Sequence, residues 1–80
     1  MQVSDLYRLR PIFHTVPESD ALDQLCFENN IDEAKEAMRL TYERAGLKEI
    51  RLERARSTGF DVFEFALERI LWPIAGPTTH

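Results

Sequence analysis

The chain has 80 residues, of which 44% are hydrophobic and 30% charged, and its net charge at pH 7 is −4. This length allows one domain (residues 1–80) with one core, and the composition excludes a disordered chain. The longest apolar run, residues 70–75, is too short to span a bilayer, and the single cysteine excludes an internal disulfide. Since the first residues also lack the pattern of a signal peptide, we expect a cytoplasmic protein that makes no contact with a membrane.

The first third of the chain contains two short candidate strands. Residues 6–16, LYRLRPIFHTV, are rich in β-favouring residues but include Pro11, which is typical of an edge strand or a bulge. Residues 24–28 predict a second short strand. The alternative for this second segment is a helical turn that is capped by Ser19.

A helix is predicted from about residue 31 to residue 45. Asn30 is a favourable N-cap, Glu33 three residues later can complete a capping box with it, and Gly46 is a favourable helix terminator. Apolar and small residues recur at helical spacing on one face, whereas charged residues occupy the other. The helix therefore has one face suited to packing on a sheet.

After Gly46 the hydrophobic residues change from helical spacing to alternation with polar residues. This pattern predicts a C-terminal hairpin over about residues 48–66. Ile50 and Leu52 alternate with charged residues, residues 57–59 have the composition of a turn, and residues 60–65 are aromatic and β-branched. Two alternatives remain open for residues 60–72: a helix that ends before Pro73, or a strand that becomes helical near Glu68. The preferred fold class is α+β, a small antiparallel sheet with the helix packed on one face.

Negative charge is concentrated in residues 17–36. Seven acids against Lys35 give this segment a charge of −6, whereas the other sixty residues have seven acids and nine bases, or +2. If these acids form one cluster that faces water, they favour a partner with a basic surface. We therefore predict a partner-binding site that comprises Glu18, Asp20, Asp23, Glu28, Asp32, Glu33 and Glu36, together with Trp72 as an apolar anchor.

A short, acidic, single-domain α+β chain that carries the segment ESDALDQLCFENNIDEAKE resembles the small phage-encoded anti-CRISPR inhibitors. The resemblance covers the whole chain in size and charge style. It implies a phage protein that binds a CRISPR effector complex and blocks its basic nucleic-acid-binding channel.

Two other classes of function compete with an inhibitor. Lys48, Arg51, Arg54 and Arg56 form a modest basic group that would suit a nucleic-acid-binding or regulatory module, although the sequence pI near 5.1 disfavours direct binding to nucleic acid. Glu49 and Glu53 alternate with these basic residues. We therefore expect the arginines to form cross-strand ion pairs with Asp61 and Glu64.

Catalysis would require Cys26 and His14 to meet. Cys26 lies between Leu25 and Phe27, a pattern that favours a small buried residue. The sequence therefore predicts a protein that is not an enzyme and has no cofactor or metal. A homodimer that forms through Trp72 or an edge strand is compatible with each of these functions.

Overall fold

A four-stranded antiparallel sheet and one helix form the fold in the computed structural model, which describes residues 6–59 and 62–73. The strands are β1 (Leu6–Phe13), β2 (Gln24–Phe27), β3 (Leu47–Gly59) and β4 (Val62–Trp72), and the helix is α1 (Ile31–Tyr42). Short 3-10 turns at Glu28–Asn30 and Glu43–Ala45 flank the helix. The α+β class and the packing of the helix on the sheet are confirmed.

The strand order in the sheet is β2-β1-β3-β4, and every neighbouring pair is antiparallel. Strands β2 and β3 therefore run in the same direction on either side of β1, and α1 connects them across one face of the sheet. Strands β2 and β4 stand at the two edges. The short second strand that the sequence predicted is confirmed over Gln24–Phe27.

The hydrophobic core lies between α1 and one face of the sheet. Ala34 and Met38 point from the helix toward the sheet, where Leu9, Ile50 and Leu52 are the most completely buried large side chains. Burial of one large aliphatic side chain contributes about 1.5 to 3 kcal/mol, so the loss of any of these side chains would remove a large fraction of the stability of so small a domain.

The two ends of α1 differ in how well the sequence predicted them. Gly46 has a φ of +88°, so it terminates the helical segment in the left-handed conformation, as predicted. Asn30 does occupy the N-cap position, but its side chain makes no capping hydrogen bond, so the predicted capping box with Glu33 is wrong. The preceding 3-10 turn already fixes the direction in which the chain enters the helix.

Pro11 lies in a central strand, although the sequence placed it in an edge strand or a bulge. It pairs with Ile50 of β3, but β2 accompanies β1 only as far as Leu9. Beside Pro11, β1 therefore has a neighbour on one side only, which is the condition that lets a proline stand in a strand. A bulge follows directly, between Ile12 and Phe13.

The C-terminal hairpin is confirmed, and its second strand continues to Trp72, so both helical alternatives for residues 62–72 are wrong. Bulges explain the misleading pattern. Leu67 and Arg69 pair with adjacent residues of β3, so Glu68 is an extra residue in β4 and shifts the alternation of the strand. A similar shift follows Ile70, and the apolar side chains then recur at a spacing that imitates a helix.

The predicted turn at residues 57–59 is part of β3, which extends to Gly59. Residues 60 and 61 lie outside the described residues.

Candidate functional site

The face of the sheet opposite α1 carries an ordered row of side chains. Directly opposed residues on neighbouring antiparallel strands share a face of the sheet. Leu25 lies opposite Arg8, Arg8 opposite Glu53, and Glu53 opposite Leu67. We call this surface the open face; it comprises Arg8, Arg10, Leu25, Arg51, Glu53, Leu67 and Ile70.

Asp23 is bound into this face by two arginines of β1. The Arg10 guanidinium donates to both carboxylate oxygens of Asp23, at 3.0 Å from Nε and 2.9 Å from Nη2, and Arg8 Nε lies 3.3 Å from Oδ2. Hydrogen bonding to Asp23 is the main reason why the pKa of Arg10 is raised. Since only 8% of the Asp23 side chain is exposed, this carboxylate ties the loop before β2 to the sheet.

Glu18 extends the same network to β3. One of its oxygens accepts hydrogen bonds from Arg10 Nη1 and Arg51 Nη1, each at 3.2 Å. Arg51 also donates to Glu49 at 2.6 Å, and this bond contributes most to the raised pKa of Arg51. Glu18 is half exposed, but its carboxylate is hydrogen-bonded to two arginines.

Glu36 is likewise paired, within α1. It accepts hydrogen bonds from Arg39, which also contacts Glu43 at 3.1 Å. Arg39 holds the pKa of the Glu36 carboxyl below its usual value. Glu18, Asp23 and Glu36 are therefore each bound to an arginine, and the seven acids do not form the single group of unpaired carboxylates that the sequence analysis assumed.

The other four acids are exposed and fall into two places. Asp20 lies in a turn ahead of β2, where its carbonyl accepts a hydrogen bond from the Asp23 amide at 3.2 Å. Glu28 follows the far end of β2, and Asp32 and Glu33 lie in the first turn of α1. These last three acids lie close together along the chain, where β2 ends and α1 begins, and we call them the acidic corner.

A groove with a volume of about 570 Å³ separates the β2 edge from α1, next to the acidic corner. Its lining is mostly apolar with a few polar residues: Leu6, Gln24, Leu25, Cys26, Phe27, Asn30, Glu33, Ala34 and Ala37. Glu33 thus belongs both to the groove and to the acidic corner. This part of the surface combines an edge strand, an apolar floor and exposed negative charge.

Sequence reasoning missed the partners of the acidic segment. In LYRLRP, Tyr7 and Leu9 face the core and Arg8 and Arg10 face away from it. That alternation can be read from the sequence, and it places both arginines on the face of the strand that points away from the core. What it could not show is that the loop before β2 folds back so that Asp23 reaches them.

Trp72 is half-buried and packs against the core, so its role as an apolar anchor for a partner is at most partial. Of the four basic residues of β3 that the sequence singled out, Arg51 and Arg54 have side-chain partners within the chain. Arg54 donates to the Tyr7 hydroxyl at 3.1 Å, the main cause of its raised pKa, and lies 3.4 Å from Glu68. Arg56 lies directly opposite Glu64, whereas Asp61 is outside the described residues.

No protein-family model, curated protein or solved structure matches this chain. In residues 6–59 and 62–73, no helix has the length and apolar character needed to cross a membrane. The same residues contain no group of three or more histidine, cysteine or acidic side chains placed to hold a metal ion.

Cys26 and His14 lie far apart. Cys26 is opposite Tyr7, and His14 follows β1 seven residues later, which corresponds to roughly 20 Å along an extended strand. Cys26 is 8% exposed, and burial raises the pKa of its thiol. The raised pKa lowers the fraction of reactive thiolate at any given pH.

We therefore expect iodoacetamide at pH 8 to alkylate Cys26 at least about tenfold more slowly in the native chain than in urea. Mass spectrometry of timed samples measures both rates. A native rate equal to or above the unfolded rate would contradict this description of the thiol.

Proposed function

We propose that this chain is a small protein-interaction module that binds an extended, basic segment of a partner protein along the β2 edge. The observation that supports this function is the position of the groove, between an edge strand and a helix that begins with exposed carboxylates. The proposed site is smaller than the site of seven acids and Trp72 that the sequence predicted. It keeps Glu28, Asp32 and Glu33 as the acids that meet the partner.

The backbone of β2 supplies the first contribution to binding. An edge strand presents amide and carbonyl groups that an incoming strand can pair with, and such strand addition is a common way to bind an extended peptide. Leu25 is 59% and Phe27 39% exposed, so apolar side chains are available beside those backbone groups. Apolar contacts and backbone hydrogen bonds would give affinity.

The acidic corner supplies selectivity. Glu28, Asp32 and Glu33 are exposed at the end of β2 and the start of α1. Exposed charge pairs contribute only about 0.2 to 1 kcal/mol each, but complementary charge raises the rate of encounter and excludes acidic competitors. A partner segment with alternating basic and apolar residues fits both features of the site.

A direct test uses a ten-residue peptide of alternating lysine and valine, with its ends blocked, and a glutamate–valine peptide as the control. We expect the lysine peptide to shift the amide NMR signals of Gln24–Phe27 and the glutamate peptide to leave them unchanged, since only the first complements the acidic corner. Replacement of the three acids (Glu28→Gln, Asp32→Asn, Glu33→Gln) should weaken binding about tenfold.

The matched control is Asp20→Asn with Glu43→Gln and Glu64→Gln, which removes the same charge from exposed sites that do not line the groove and leaves Arg39 paired with Glu36. This variant should bind nearly as the parent does. Equal weakening by both triple variants would mean that net charge alone attracts the peptide. Signal shifts confined to other elements would reject the β2 edge.

We further propose, on the resemblance to anti-CRISPR inhibitors, that occupation of the β2 edge blocks the nucleic-acid-binding surface of a CRISPR effector. A partner surface that binds phosphates is rich in lysine and arginine, which is the chemistry that the acidic corner complements.

A DNA mobility-shift assay with purified effector complexes tests the blocking step. We expect the parent chain to reduce DNA binding, the acidic-corner variant to lose this effect, and the matched control to retain it. If the chain leaves DNA binding by the effectors unchanged, inhibition is not its function, whereas strand addition at β2 would still be tested by the peptide experiment.

A further inference from the structure

The open face offers a second surface, separate from the acidic corner, and we propose that two copies of the chain associate through it. Leu67 and Ile70, two of its three exposed apolar side chains, lie on β4 and not in the β2 groove, whereas Leu25 belongs to both surfaces. Variants of Leu67 therefore test this proposal separately from the proposed function. The loop that carries Glu18 and Asp23 reaches over part of this face.

Exposure differs sharply between the apolar and the charged side chains of the open face. Leu25 is 59%, Leu67 57% and Ile70 42% exposed. The side chains of Asp23 and Glu53, by contrast, are only 8% and 11% exposed. The apolar groups of this face thus remain in water, whereas its principal carboxylates are already largely removed from it.

This difference in exposure determines the free energy of burying the face against another surface. Desolvation of charges is usually the main obstacle to burying a polar surface. For Arg8, Asp23 and Glu53 most of that desolvation has already occurred in the monomer, where Arg8 donates to Glu53 at 2.7 Å and its guanidinium lies 4.2 Å from the centre of the Phe65 ring; Glu18 stays half exposed at the border of the face. Covering the face therefore gains the burial of leucine and isoleucine at about 25 cal/mol per Å² with little further cost from its buried charges.

A second copy of the same face is the occupant that fits best. Arg8, Arg10 and Arg51 each contact a carboxylate of their own chain, so an identical face brings no unbalanced charge against them. The row that crosses the sheet has Leu25 at one end and Leu67 at the other. If a two-fold axis parallel to the strands relates the two copies, Leu25 of one copy lies over Leu67 of the other. Leucine then contacts leucine at both ends of the row.

The area is sufficient for a weak dimer. The strands have 8, 4, 13 and 11 residues, which at 3.3 Å per residue and 4.8 Å between strands gives roughly 570 Å² of footprint per copy. Because the loop with Glu18 and Asp23 covers part of this area, two copies would bury at most about 1,100 Å², which is the size of a weak, transient interface. We therefore expect a dimer that dissociates on dilution.

Sedimentation velocity over about 5 to 500 µM tests the proposal, since this range brackets the dissociation constant expected of so small an interface. The parent chain should shift from monomer to dimer with rising concentration. Leu67→Glu should raise the dissociation constant at least about tenfold, because it places a carboxylate among apolar groups in both copies. Leu67→Thr, which suits a strand, should weaken the dimer without disturbing β4.

The matched control is Leu40→Glu, because Leu40 is 67% exposed on α1 and lies away from the sheet. Circular dichroism confirms that each variant is folded, and binding of the lysine–valine peptide should be unchanged by Leu67→Glu. A parent chain that stays monomeric throughout would overturn the proposal. So would a dimer that both Leu67 variants leave intact, or one that Leu40→Glu weakens equally.

Discussion

The ion pair between Asp23 and Arg10 is the interaction on which the arrangement of this molecule most depends. Asp23 directly precedes β2, and Arg10 lies one residue beyond Leu9, which pairs with Gln24, the first residue of β2. The pair therefore fixes where β2 begins along β1. A slip of one residue would turn Cys26 out of the core and move Leu25 into it, so the position of the strand decides which side chains face water.

The same pair explains why the concentration of acids in the sequence does not become one acidic surface. Asp23 and Glu18 bind arginines of β1 and β3, and Glu36 binds Arg39 of its own helix. The net charge of −6 in residues 17–36 is thereby divided among structural ion pairs, Asp20 in the turn before β2, and the exposed acidic corner. The functional proposal becomes more specific, since three exposed carboxylates, of which Glu33 lines the groove, define a smaller and more directional site than seven.

The sequence predicted the α+β class, the helix and the hairpin because hydrophobic period and glycine position are local signals. It did not predict the length of β4, since the bulge at Glu68 changes the alternation only when β4 pairs with β3. It also did not predict the pairing of Asp23 with Arg10, because contacts between a loop and a strand depend on how the chain folds back. The open face was missed for the same reason: Leu25, Arg8, Glu53 and Leu67 become neighbours only through the register of all four strands.

Asp23 is a structural residue of the fold, and the acids that meet a partner are those of the acidic corner. A double-mutant cycle of Asp23→Asn and Arg10→Gln, with unfolding free energies from urea titrations, tests this division most directly. Because Asp23 is mostly buried and bound through two hydrogen bonds, we expect a coupling of about 1 to 2 kcal/mol. A coupling of about 0.3 kcal/mol or less would show that the two side chains act independently, and the division between structural and partner-binding acids would then fail.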